Sequence, residues 1–323
     1  MPSYPPLPRE LGDEFSTVLE QSLGVTAGRL RSSDLEAPFR GTRMRGPTRA
    51  EIDAEAEISK RYKLRHKREL ALIRSLGRRL VPGQFVSHRS AALLWEAPMR
   101  WTREPLLHAT ALRPKTQPRI RGVIGHAMNV ERCGIRQRDG VAVADPATTW
   151  AMLADLPLAE LVAVGDYFVR VYRPGYGRRN VGRPSHATIA DLERTVSLGR
   201  WRGQPRLECA LRLIREDSWS PKESAVRVEL VAAGLPEPVL NVDLFDVEGS
   251  FIACPDMVYP EYRVAVEYQG EMHNETYAED IERVERLRAA GWIVIQVTKV
   301  LLARPRELVR RVERDLRARG WRG

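Results

Sequence analysis

From Val264 to Gly270 the chain reads Val-Ala-Val-Glu-Tyr-Gln-Gly, an alternation that suits an extended strand. Side chains of a strand point to opposite faces in turn. Glu267 and Gln269 therefore share one face, and Val264, Val266 and Tyr268 share the other. A second apolar run ends upstream at Cys254-Pro255-Asp256, and a Tyr-Pro turn separates the two runs. If they pair as a hairpin, Asp256 joins Glu267 and Gln269. Two carboxylates and an amide on one face suit a hard, oxygen-preferring cation such as Mg²⁺. A solvated sheet face with unrelated charges fits the same letters.

A chain of 323 residues has room for two or three domains. Its 43% hydrophobic content is enough to build cores, yet no apolar run is long enough for a membrane span. The opening Met1-Pro2-Ser3-Tyr4-Pro5-Pro6 lacks the basic-then-apolar layout of a signal peptide. Cys133, Cys209 and Cys254 form no Cys-x-x-Cys pair and fit a reducing, cytoplasmic setting. The net charge of +10 favours a polyanionic partner, DNA or another nucleic acid first, although an arginine-rich composition also follows from a GC-rich genome.

After a Pro-rich arm, Ser16–Leu23 has a helical pattern, Gly24 breaks it, and Val25–Arg31 reads as a second short basic helix. This is the outline of a helix-turn-helix over residues 1–47, with Arg29 and Arg31 as phosphate contacts and residues 38–45 as a basic wing. An ordinary helical hairpin fits as well. Residues 48–80 are charged and helical in pattern. Ser87 then caps a helix running to Trp95. His88, in its first turn, has no Cys, Asp or second His close by in sequence, which suits a structural or capping role. Strands are expected at 106–111 and 122–126, and helices at 146–155, 158–170 and 188–197, the first opened by Asp145-Pro146. Arg173–Pro184 reads as a basic surface loop.

A boundary near Glu216–Trp219 separates this α+β region, 48–217, from residues 218–323. There Ser220-Pro221-Lys222-Glu223 opens a helix that stops at Gly234. Strands follow at 239–246, 250–258 and 263–269, then a helix over 278–290. The strand Trp292–Thr298 is apolar on both faces, which predicts a central position. The last helix, 305–319, turns Leu308, Val312 and Leu316 inward. The order is α-β-β-β-α-β-α, an α/β class.

That order, with Glu223, Pro255-Asp256 and Glu267-x-Gln269 in place, resembles the PD-(D/E)XK (restriction-endonuclease-like) nuclease superfamily. Residues 218–323 are similar to very-short-patch-repair-endonuclease-like domains through Gly234-Leu235-Pro236, Asn241, Gly249, Asp256, Glu267-Tyr268-x-Gly270, His273, Asp280, Arg283 and Gly291-Trp292. The whole chain resembles actinobacterial proteins in which such a domain follows an AbiEi-antitoxin-like region, here carried by Ser87-His88-x-Ser90-Ala91-Ala92-x-Leu94-Trp95.

The resemblance implies Mg²⁺- or Mn²⁺-dependent hydrolysis of phosphodiester bonds in DNA. Asp256, Glu267 and the Tyr268 carbonyl would be metal ligands, and Glu223 would hold a water or a second metal. Glu223 also stands three residues after Ser220, where a capping-box glutamate belongs. His273 would shuttle a proton or touch phosphate, and Arg283 and Arg286 would contact DNA; surface positions and salt bridges suit the same residues. Gln269 departs from the pattern, since the similar domains carry Asp there and the wider superfamily Lys. Glutamine still hydrogen-bonds a water but brings no charge. The alternative is an AbiEi-type, toxin-antitoxin regulator, with a cognate toxin as partner and the nuclease fold kept as a scaffold.

Overall fold

The computed structural model describes residues 4–17, 23–100, 106–270 and 277–323. Helices and mixed sheets make it an α/β protein. The chain divides into two compact units between Leu153 and Ala154, with residues 197–199 belonging to the first.

In the first unit, β1 (Glu14–Ser16) pairs antiparallel with β2 (Thr42–Met44). The helix expected over 25–31 does not form. Turns and a three-residue 3-10 segment, Arg29–Arg31, take its place. Gly24 precedes the stretch and Gly28 interrupts it, which leaves runs too short to repay the cost of nucleating a helix, and Thr26 Oγ1 accepts from the Arg29 amide instead. Part of the first expected helix, residues 18–22, lies outside the described residues. The expected wing is β2, whose Met44 is fully buried.

Helices α1 (Arg49–Ala54) and α2 (Ile58–Arg79) follow, α1 opened by a reciprocal Thr48–Glu51 capping box. Next come β3 (Gln84–Val86), α3 (His88–Leu94), β4 (Leu107–Leu112), β5 (Val123–Met128), β6 (Ile135–Arg138), β7 (Val141–Ala144) and α4 (Pro146–Ala151). The five strands form one mixed sheet in the order β5-β4-β3-β7-β6. Asp145 caps α4, accepting from the Thr148 amide at 2.7 Å. Gly77 on α2 lies so close to Val141 that any Cβ there would collide with the valine side chain.

The second unit begins with α5 (Leu158–Val169), α6 (Ile189–Ser197) and α7 (Gln204–Leu213), so these helices belong with the C-terminal core and not with residues 48–153. A buried polar network explains why α5 goes with the core. Arg227, on α8 (Pro221–Ala232), is fully buried and donates to Asp166 of α5 at 2.8 Å and to the Leu213 carbonyl. The other Asp166 oxygen accepts from the Arg215 amide at 2.7 Å.

The core continues with β8 (Val239–Leu240), β9 (Leu244–Phe245), β10 (Phe251–Ala253), β11 (Met257–Tyr259), β12 (Val264–Tyr268), α9 (Tyr277–Ala289), β13 (Ile293–Val297), α10 (Lys299–Leu302) and α11 (Pro305–Ala318). The expected strand 239–246 is broken at Asn241, whose φ is +48°, and the expected strand 250–258 at Cys254-Pro255. Hence β9 and β10 form a separate hairpin. The main sheet runs β13-β12-β11-β8, with β12 and β13 parallel.

β13 is therefore an edge strand, not a central one. It is apolar on both faces because helices cover both. Ile295 and Val297 pack with Leu308, Val312 and Leu316 of α11 on one side, and Val294 packs with Leu287 of α9 on the other. Apolar faces report what lies above and below a sheet, not what lies beside a strand.

Candidate functional site

The β11–β12 register pairs Met257 with Val266 and Val258 with Ala265; one step further, Asp256 stands opposite Glu267. Opposed residues of an antiparallel pair share a face. The strand alternation holds, since Val264, Val266 and Tyr268 lie in the core cluster with α8 and α11 while Glu267 is on the reverse face. Asp256 Oδ2 accepts from the Tyr268 amide at 2.7 Å, which ties the two strands at the acidic end.

Glu223 approaches from α8. Ser220 Oγ accepts from its amide at 3.2 Å, half of a capping box. Its carboxylate, however, accepts from the Trp219 amide and from Asn241 Nδ2, both at 2.8 Å, so it does not close the box on Ser220. Asn241 donates further to the Asp217 carbonyl at 2.8 Å, and its amide donates to Asp256 O at 3.0 Å. The asparagine that interrupts the strand thus joins Glu223 to Asp256.

Glu223 and Glu267 are buried and Asp256 is half-buried. Burial, then the neighbouring charges of Glu223 and Glu267, push the Asp256 carboxyl up to about 7, against the opposing Tyr268 hydrogen bond and Arg283. Arg283 reaches across from α9 and pairs with Glu267. The donor chemistry suits a hard cation. The spacing is wider than one shared ion needs, because the three carboxylates do not all come within 4.8 Å of one another. A pair, Asp256 with Glu267, is the set that β-pairing holds together.

Tyr268 turns its ring toward the core, with Lys222 Nζ 5.9 Å from the ring centroid, and offers only its backbone to the acidic end. Half-buried Gln269 follows the strand, its amide donating to the Val297 carbonyl at 2.9 Å. His273 lies outside the described residues.

The arginines sort differently from expectation. Arg29 is an internal brace, bonded to Asp34 through two contacts of 2.8 Å and to the Pro5 carbonyl at 2.7 Å, which removes it from the expected phosphate contacts. Arg31 is exposed, as is Arg286. In the expected basic loop, Arg178 is drawn inward, donating to Asp243 at 2.8 Å and lying over the Trp219 ring. Arg173 pairs with Glu216 and Asp217.

The first unit holds a cluster that sequence reading missed. His88 stacks on His126 with ring centroids 3.8 Å apart, and each lies 5.3 Å from His108. His88 is therefore not alone. Its neighbours come from β4 and β5, and only the parallel pairing of those strands brings them close; alternation within His108-Ala-Thr and Gly-His126-Ala was the one available signal. No protein-family model matches this chain, and no curated protein matches it.

Proposed function

We propose that the second unit is a metal-dependent endonuclease of the PD-(D/E)XK kind that hydrolyses phosphodiester bonds in DNA. The observation that carries this reading is Asp256 opposite Glu267 at the end of one hairpin, with the charge of Glu223 close enough to raise Asp256. Carboxylates held together against their own repulsion suit a divalent cation. Such an ion, Mg²⁺ or Mn²⁺, polarises the phosphoryl group and lowers the pKa of bound water.

Asp256 and Glu267 would hold it with the Tyr268 carbonyl. Glu223, fixed by Asn241, would orient a water, and the Gln269 amide would place the attacking one. Arg283 would leave Glu267 for phosphate, alongside exposed Arg286.

The regulator reading keeps two supports. Gln269 supplies no positive charge, and Arg283 already neutralises Glu267 in the manner of a metal. In that reading the fold binds DNA without cutting it, and a toxin is its cognate partner. Among the described residues, no helix is long and apolar enough to cross a membrane.

A cleavage screen with Mg²⁺ and Mn²⁺ on supercoiled, nicked, branched and mismatched DNA separates the two. Cleavage lost in Glu267→Ala supports the nuclease. Equal background from both proteins on every substrate moves the conclusion to the regulator.

A further inference from the structure

The three histidines of the first unit come together by construction. β4 and β5 are parallel, with Thr110 opposite His126 and His108 opposite Ile124. His108 and Thr110 are two residues apart on β4, so His108, Thr110 and His126 share one face. His88 opens α3, and the start of that helix is pinned to β4 twice. The Ser87 amide donates to the His108 carbonyl at 3.1 Å, and the His108 amide donates to Ser90 Oγ at 3.0 Å. His88 adopts φ +50°, a conformation that costs a non-glycine residue energy, and it does so where its ring meets the other two.

The nitrogens converge. One ring nitrogen from each histidine lies within 4.8 Å of the other two, and His108 Nδ1 is 3.0 Å from His126 Nε2. These two nitrogens are hydrogen-bonded to each other, and an ion bound by both would replace the shared proton, with ligands about 2.0 Å away standing roughly 3.3 Å apart. His88 Nδ1 is 3.0 Å from Ser87 Oγ, a contact that orients the ring and would make Nε2 the ligand atom. A hydrogen bond to the far nitrogen is how proteins fix a metal-bound imidazole.

Two further observations point to a ligand. All three histidines are half-buried, neither sealed in the core nor fully exposed. Thr110, on their face, is fully buried, and its hydroxyl has no hydrogen-bond partner among the described residues. A buried hydroxyl left in that state costs about 1–3 kcal/mol, and a water on a bound ion would satisfy it.

We propose that His88, His108 and His126 form a binding site for a borderline transition-metal ion of the Zn²⁺ class, with water as fourth ligand beside Thr110. Nitrogen ligands without a carboxylate select Zn²⁺ over Mg²⁺, and three protein ligands with one open position is the arrangement of hydrolytic zinc centres. The rings are in the form that ligates: burial and mutual proximity hold His88 down to about 2 and His108 to about 4, and burial lowers His126 as well. The charge of Arg89 acts on His108 and is offset by buried Glu69 at 3.6 Å. The site does not depend on the nuclease reading, since it uses no residue of the second unit.

The test uses the full chain, stripped with a chelator and dialysed against Zn²⁺ alone, with bound metal counted by mass spectrometry. The expected result is one Zn²⁺ per chain, lost in His108→Ala and in His126→Ala and kept in Asp256→Ala/Glu267→Ala. Ser87→Ala should weaken binding by about 10–100-fold. Should the histidine variants fail to fold, Co²⁺ added to the wild type decides, because a tetrahedral nitrogen site gives intense visible bands and an octahedral aquo ion does not. Absence of stoichiometric Zn²⁺, an octahedral Co²⁺ spectrum, or metal lost with the acidic pair instead would overturn the proposal.

Discussion

Asp166 of α5 and Arg227 of α8 meet at 2.8 Å with both side chains withdrawn from solvent. Burial raises the Asp166 carboxyl, and Arg227 with the Arg215 amide works against that rise. Removing one partner leaves the other charge stranded, at a cost of about 3–5 kcal/mol, whereas an apolar pair of similar volume is often neutral. Asp166→Ala is therefore expected to lower the urea midpoint sharply, and Asp166→Leu/Arg227→Met much less. Equal loss in both would mean that packing, not charge, joins the helices.

Gly77 offers a contest between two effects. In an exposed helix interior, alanine is favoured over glycine by about 1 kcal/mol. Here the new Cβ would strike Val141 of β7, and overpacking costs typically 1–3 kcal/mol. Gly77→Ala should therefore destabilise the first unit, and Val141→Ala added to it should recover part of the loss. A rise in melting temperature for Gly77→Ala would show that α2 moves off the sheet without penalty.

On the proposed reading, Gln269 is the residue that separates enzyme from scaffold. Losing a positioned electrostatic group costs on the order of 10²–10³ in rate. Gln269→Ala is expected to reduce cleavage by that factor while DNA affinity stays the same. Gln269→Lys, which introduces the lysine of the superfamily that the sequence resembles, is expected on the nuclease reading to retain or raise activity. Rates of the wild type, Gln269→Ala and Gln269→Lys all equal to that of a Glu267→Ala control would overturn the nuclease reading.

Arg283 competes with a cation for Glu267. Unit charges about 4 Å apart interact by roughly 4 kcal/mol near a protein surface, and the partial exposure of Arg283 discounts this. Arg283→Ala should tighten Ca²⁺ or Mg²⁺ binding by on the order of tenfold, about 1.4 kcal/mol, in titration calorimetry. Unchanged affinity would place the ion away from Glu267.

Much of the acidic end was legible because it rests on local rules. Period-two alternation put Val264, Val266 and Tyr268 in the core and Glu267 on the reverse face, and helical period put Leu308, Val312 and Leu316 inside. What escaped depends on distant partners. β13 looked central because sequence reports burial but not neighbours in the sheet. Asn241 looked like part of a strand, although its left-handed backbone ends one. His88, His108 and His126 stood apart in sequence until β4 and β5 paired. Arg29 looked like a phosphate contact because composition cannot show that Asp34 and the Pro5 carbonyl already hold it.

β12 carries the Glu267 carboxylate on one face and core packing on the other, and this ties the position of the acidic pair to the fold. A slip of one residue against β11 would drive Glu267 into the company of Leu308 and Leu316 and expel Val266. If the proposed nuclease reading holds, mutations at 269 or 223 would erase activity without loosening the strand. They cannot wander the Asp256–Glu267 pair to a new position by small steps. A chain with this fold that does not cleave would still keep the two carboxylates facing each other, held in place by valines.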